Sequence, residues 1–161
     1  MKLHWIVRAL VVLTVLFVGV QVNAKRGCAC MRPIPPPPAP EIQKRIFDVL
    51  AIREDVYRSL NDETRLAAYS TFWVQDQQGQ LPGFAKDLHN LKVRSAKKSL
   101  ARTGYKLAYY PEVVRRPDRY ALTAVVEATR AEAKPVLLSF RVALQKQGEE
   151  WKVVSLRESV N

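Results

Sequence analysis

The stretch PVLLSFRVALQKQGEEWKVVSLRESV, residues 135–160, decides the fold. Val136, Leu138, Phe140, Val142 and Leu144 alternate with smaller or polar residues, the period of a strand with one apolar face. Gln147-Gly148-Glu149 turns the chain, and Trp151–Val160 returns with Trp151 and Val153 on one side and Val154 and Leu156 on the other. Two long strands joined by a Gly-containing turn form an antiparallel hairpin whose apolar face must be covered.

Working back from this hairpin, Tyr120, Leu122, Ala124, Val126 and Ala128 share one face of a further strand. It follows a turn at Arg115-Arg116-Pro117-Asp118. Tyr105, Leu107 and Tyr109 alternate with Lys106 and Ala108, and Leu91, Val93 and Ser95 with Lys92 and Arg94, so the period of two is expected from Leu91 onward. Upstream the period becomes helical. Ile42, Ile46, Val49, Leu50, Val56, Tyr57 and Leu60 make one apolar stripe over residues 41–60, entered from a proline and with Glu41 at the positive end of the helix dipole. Asn61 is expected to cap a second helix from Asp62 to about Val74, with Leu66, Tyr69 and Trp73 on one side. Gln75–Gly83 is a polar loop, and a short helix follows over Phe84–His89. Helices first and an antiparallel sheet afterwards predict an α+β domain over residues 41–161. In it a helical hairpin packs on a curved antiparallel sheet of about four strands.

A helical hairpin followed by strands ending in Gly148-Glu149-Glu150-Trp151-Lys152-Val153-Val154 resembles the nuclear transport factor two-like (cystatin-like) superfamily, in which a last hairpin of Gly-x-x-Trp-Lys-Ile/Val form is common. The layout is also similar to the periplasmic domains of type IV secretion inner-membrane subunits. The resemblance covers about residues 41–160. It implies a fold, and the superfamily includes enzymes, ligand carriers and assembly modules.

The chain has 161 residues, enough for one ordinary domain, with 48% apolar residues and only 6 Gly. This excludes a wholly disordered, collagen-like or disulfide-dense protein. There are 26 Lys+Arg against 15 Asp+Glu, a formal charge of +11. Lys2 and Arg8 flank a polar start, Ala9–Val20 is almost wholly apolar, and Val22-Asn23-Ala24 ends in small or apolar residues. That order is the order of a secretory signal peptide over residues 1–24, cleaved after Ala24. The apolar run is shorter than the ~20 residues that span a hydrocarbon core, so an uncleaved inner-membrane anchor ranks second. A lipid-modified Cys28 ranks third. Cleavage removes Lys2 and Arg8 and no acidic residue, which leaves 24 basic and 15 acidic residues, a charge of +9. The expected location is therefore periplasmic or secreted. There the anionic surfaces are lipid headgroups, wall polymers and acidic faces of proteins, with nucleic acid last.

Residues 25–40 are expected to form a Cys-containing, Pro-rich extended arm. Pro33–Pro40 contains six prolines in eight residues and favours polyproline II, a stiff spacer of roughly 25 Å. Ahead of it lies Cys28-Ala29-Cys30-Met31. In an oxidising compartment the two thiols can form disulfides within or between chains, or with Met31 supply soft ligands for a Cu ion as Cu(I), or have no defined role. One C-x-C without a nearby His falls short of a zinc pattern.

No nucleophile elbow, His-Glu-x-x-His helix or phosphate loop is present. His89 is the one histidine beyond the leader, and Asp87 would share its face only on a strand. Ten basic residues face three acidic ones over residues 86–119, a local balance of +7. The candidate contact residues are Lys92, Arg94, Lys97, Lys98, Arg102, Lys106, Arg115, Arg116 and Arg119, interleaved with Tyr105, Tyr109, Tyr110 and Tyr120. The reading is a non-catalytic exported accessory domain, able to oligomerise, that docks through a basic surface on an envelope protein complex or an anionic membrane surface. The alternative is a small-ligand or Cu(I) carrier using an apolar cone or the cysteine arm.

Overall fold

The computed structural model describes residues 35–160. The leader and the Cys28, Cys30 and Met31 arm lie outside the described residues. Three helices come first, α1 (Pro40–Arg58), α2 (Glu63–Ser70) and α3 (Pro82–Ala96). Four strands follow, β1 (Arg102–Arg116), β2 (Arg119–Arg130), β3 (Ala133–Gln147) and β4 (Glu150–Val160), in one antiparallel sheet of order β1-β2-β3-β4. The α+β plan expected from the sequence is the plan observed.

Proline opens α1 at its first turn, where the missing N–H costs nothing. Just before it Pro38 is buried, and its carbonyl accepts a hydrogen bond from Gln43 Nε2 at 2.8 Å. Ile42, Ile46, Val49, Leu50 and Val56 are fully buried and face the concave side of the sheet, where Leu122, Ala124, Val126, Leu138, Phe140, Val142 and Leu144 form the other half of the core. Each buried Val, Leu, Ile or Phe side chain among them contributes on the order of 1.5–3 kcal/mol. Asp62 caps α2 by accepting from the Arg65 N–H at 3.2 Å, one residue beyond the cap expected at Asn61. The helix ends at Ser70, and Phe72–Val74 then lies against β4: the Val74 N–H donates to Val153 O at 3.0 Å and the Val153 N–H to Phe72 O at 2.7 Å.

Three local expectations are corrected. Leu91–Ser95 is helical, the last part of a 15-residue α3, and is not a strand. The apolar residues Phe84, Leu88 and Leu91 fit a spacing of three and four as well as Leu91 and Val93 fit a spacing of two, and longer packing decides. In β1 the register shifts between Leu107 and Tyr109 and again before Glu112, so Tyr110 is buried while Tyr109 is half exposed. Pro111 sits in this irregular stretch of an edge strand, where no ladder donor is required. In β4 the register shifts opposite Ala143/Leu144, so that Val153 and Leu156 are both buried and Val154 faces out. A one-residue bulge inverts every later side chain relative to simple alternation.

The bulge also fixes α3. A Cβ on Gly83 would lie 2.4 Å from Val154 O and 2.8 Å from the Trp73 ring, so only glycine allows the first turn of α3 to approach β4 this closely. The sheet is curved enough that Arg102 on edge strand β1 forms an ion pair with Glu158 on the opposite edge strand β4. Three strand spacings separate these edges, roughly 14 Å in a flat sheet.

Candidate anion-binding groove

Arg53 lies on the apolar stripe of α1, between Leu50 and Val56, and is 2% exposed. A guanidinium buried to that extent must find its partners inside the protein. Its Nε donates to Asp87 Oδ2 at 2.9 Å, its Nη2 to Asp87 Oδ1 at 3.0 Å, and its Nη1 to Glu158 Oε2 at 2.9 Å. The Tyr69 hydroxyl, from α2, donates to Asp87 Oδ2 at 2.8 Å. Next to this set, Glu54 receives a forked pair from Arg94, Nη2 to Oε1 at 2.8 Å and Nη1 to Oε2 at 2.9 Å. It also accepts from the Arg102 backbone N–H at 2.7 Å and the Tyr105 hydroxyl at 3.1 Å. Arg94 lies over the Tyr57 ring, 3.8 Å from its centroid. Arg102 and its ion pair with Glu158 join the two sets.

Three arginines and three carboxylates thus form a neutral cluster at one end of the concave face. Burial alone would push Glu158 up, but the Arg102 hydrogen bond and the charges of Arg53 and Arg102 outweigh it and hold the carboxyl at about 2. Burial opposes the charge on Arg53, and the Asp87 carboxylate more than offsets it, so its pKa is raised. Glu54 is likewise held below the carboxylate range despite burial, chiefly by its hydrogen bonds from Arg94 and the Arg102 backbone. Burial and then the Glu54 charge push the Tyr105 hydroxyl up to about 12. The Asp87 carboxylate is saturated by Arg53 and Tyr69. His89 is exposed two residues further along α3 while Asp87 is 1% exposed, so a helix separates the pair that a strand would have put on one face. Among the described residues no group of three His, Cys, Asp or Glu is arranged to hold a metal ion.

Outside this cluster lies an open groove of about 630 Å³ between α3 and the ends of β1 and β4. The cluster's Arg53, Arg94, Arg102 and Glu158 line it, and Lys86, Lys97 and Arg157 add three more cations. These last three are exposed and make no ion pair with any described residue. The Nε–H of Arg94, also in the wall, is buried without a partner among the described residues.

The candidate contact residues divide accordingly. Arg94, Lys97 and Arg102 come together at the groove, with Lys92 and Lys98 exposed on the same part of the chain. Arg115, Arg116 and Arg119 are exposed at the β1–β2 turn, the far end of a 15-residue strand that would be on the order of 45 Å long if straight. Lys106 is exposed between them on β1. Arg53, Glu54, Arg157 and Glu158 were not singled out by sequence reasoning, and Lys86 counts in the basic interval but not among the candidate contact residues. A signal existed for Arg53, a charge at a stripe position, and for Glu158, which alternates inward from Leu156.

A scan against protein-family models finds no match, and no curated protein matches the sequence. Among solved structures, the chain is similar at probability 1.00 to an NTF2-like protein of unknown function from Shewanella oneidensis MR-1, with 16% identity, a TM-score of 0.44, and coverage of 73% of this chain and 98% of that one. It is similar at the same probability to an NTF2-like protein of unknown function from Pseudomonas putida KT2440, with 15% identity, a TM-score of 0.44, and coverage of 75% and 87%. These are likenesses of layout alone.

Proposed function

We propose that this chain is a non-catalytic accessory domain, exported across a membrane by its leader, that docks on an acidic face of another envelope component through the α3 side of the fold. The observation that carries the reading is the set of cations left over once the internal carboxylates are used. Glu54, Asp87 and Glu158 neutralise Arg94, Arg53 and Arg102, whereas Lys86, Lys92, Lys97, Lys98 and Arg157 have no ion-pair partner among the described residues. Uncompensated surface charge steers association with an opposite surface. Every carboxylate in the cluster accepts from an arginine, and Asp87 and Glu54 also from a tyrosine hydroxyl, which supports a structural role for them. Tyr69, Trp73 and Phe84 pack edge to face at 5.7–6.4 Å between centroids, which supports docking over carriage of an apolar ligand. The sequence's resemblance to periplasmic domains of type IV secretion inner-membrane subunits is compatible with a role beside a larger machine.

The test uses the full chain and detergent-solubilised envelope. Lys92→Glu, Lys97→Glu and Lys98→Glu together should abolish recovery of a specific partner without lowering thermal stability. Unchanged recovery would overturn docking. Arg102 is unsuitable for this test because its guanidinium holds Glu158. Export is tested separately: the protein recovered from an osmotic-shock fraction should begin at Lys25.

A further inference from the structure

The groove wall on α3 has a regular spacing. Lys86, Asn90, Val93, Arg94 and Lys97 line it, at intervals of four, seven, eight and eleven residues from Lys86, which are positions on one helical face. Eleven residues at 1.5 Å put Lys86 and Lys97 about 16 Å apart along the axis. No single phosphate or carboxylate spans that distance. Five residues of extended chain do, at 3.3–3.6 Å each. Arg157 supplies a third cation from β4, across the groove. The Glu158 carboxylate also lines the groove, with an oxygen toward Arg53 and one toward Arg102. A compact multivalent anion would meet that negative charge. A peptide carries carboxylates for the cations and backbone N–H donors that a carboxylate can accept, and Val93, 41% exposed, offers an apolar contact between them.

We infer that the groove takes an extended acidic peptide segment, with Asp or Glu side chains of the partner paired to Lys86, Lys97 and Arg157. This rests on the docking reading above and names what the partner presents. A flat bilayer surface does not enter a groove of this kind, which sets the peptide ahead of lipid.

The experiment is fluorescence anisotropy of fluorescein-labelled hexaglutamate with the full chain at low ionic strength. Wild type should bind, and Lys86→Glu, Lys97→Glu and Arg157→Glu together should weaken binding at least about tenfold. The same reversal of charge at Lys106, Arg115 and Arg116 should change it by no more than about threefold, since those residues lie off the groove. The neutral set Lys86→Gln, Lys97→Gln and Arg157→Gln should fall between wild type and the reversal. Equal losses in the groove and control variants would overturn the inference. So would no binding by wild type, displacement of the peptide by inorganic phosphate at equal concentration, or preferential binding to phosphatidylglycerol vesicles. If the peptide fails while envelope capture still depends on Lys92, Lys97 and Lys98, docking stands and the groove assignment falls. If capture is also indifferent to those lysines, both fall.

Discussion

Two groups of cations lie within about 15 residues of one another and have opposite fates. Arg94 and Arg102, with Arg53 from α1, turn inward and meet Glu54, Glu158 and Asp87. Lys86, Lys92, Lys97 and Lys98 turn outward and meet solvent. The first group has planar forks able to satisfy two carboxylate oxygens at once; the second consists of flexible, strongly hydrated ammonium groups. Within residues 86–102 the ion-paired cations are arginines and the unpaired ones are lysines, and Arg157 adds an exposed guanidinium from β4. A net charge counted along the sequence merges these groups, although only the second has no counter-charge among the described residues.

The contrast is broken most severely at its inner side. Arg53→Met should cost about 3–5 kcal/mol in urea unfolding, because Asp87 and part of Glu158 would be left buried and uncompensated. Adding Asp87→Asn should recover part of that loss; no recovery would mean that packing rather than charge supports the cluster. Next comes acid sensitivity. The folded pKa of Glu158, about 2, lies below its ordinary value of 4.5, so its contribution is fully present above about pH 4.5 and is lost as pH falls toward 2. At 1.36 kcal/mol per pKa unit, and discounting for partial exposure, the loss should be roughly 2–3 kcal/mol. Urea midpoints measured from neutral pH downward should show it, and Glu158→Gln should flatten the acid limb. Gly83→Ala should destabilise by about 1–3 kcal/mol through the contact with Val154 O and Trp73, read as a fall in thermal midpoint. The smallest effect belongs to the outer side: Lys92→Glu, Lys97→Glu and Lys98→Glu should each shift stability by no more than about 0.5 kcal/mol. A large shift there would show that these lysines have structural partners and would remove the distinction.

The same distinction explains how much could be read from sequence. Layers, helix order and the last two strands are legible because apolar stripes report burial directly, as in Ile42, Ile46, Val49 and Leu50. The errors fall where a period is broken or ambiguous. Leu91–Ser95 suits either period and is decided by α3 packing on β4. The bulges after Leu107 and at Val154 change which residues face inward without leaving any mark in composition. The basic interval is legible as an interval, but its division is not, because the carboxylates that consume Arg94 and Arg102 come from residues 54 and 158, far outside it. Pairing over such separations belongs to topology.

Those separations bear on when the groove takes shape. Arg53 and Glu158 are 105 residues apart in the chain, and Arg102 and Glu158 are 56 apart. Loop-closure entropy must be met before contacts of this range form, so they join a folding chain late. The groove therefore has no intermediate version: its α3 wall can exist early, but the β4 side arrives with the final strand. A partly folded chain would present the α3 lysines without the Arg157 and Glu158 side of the groove.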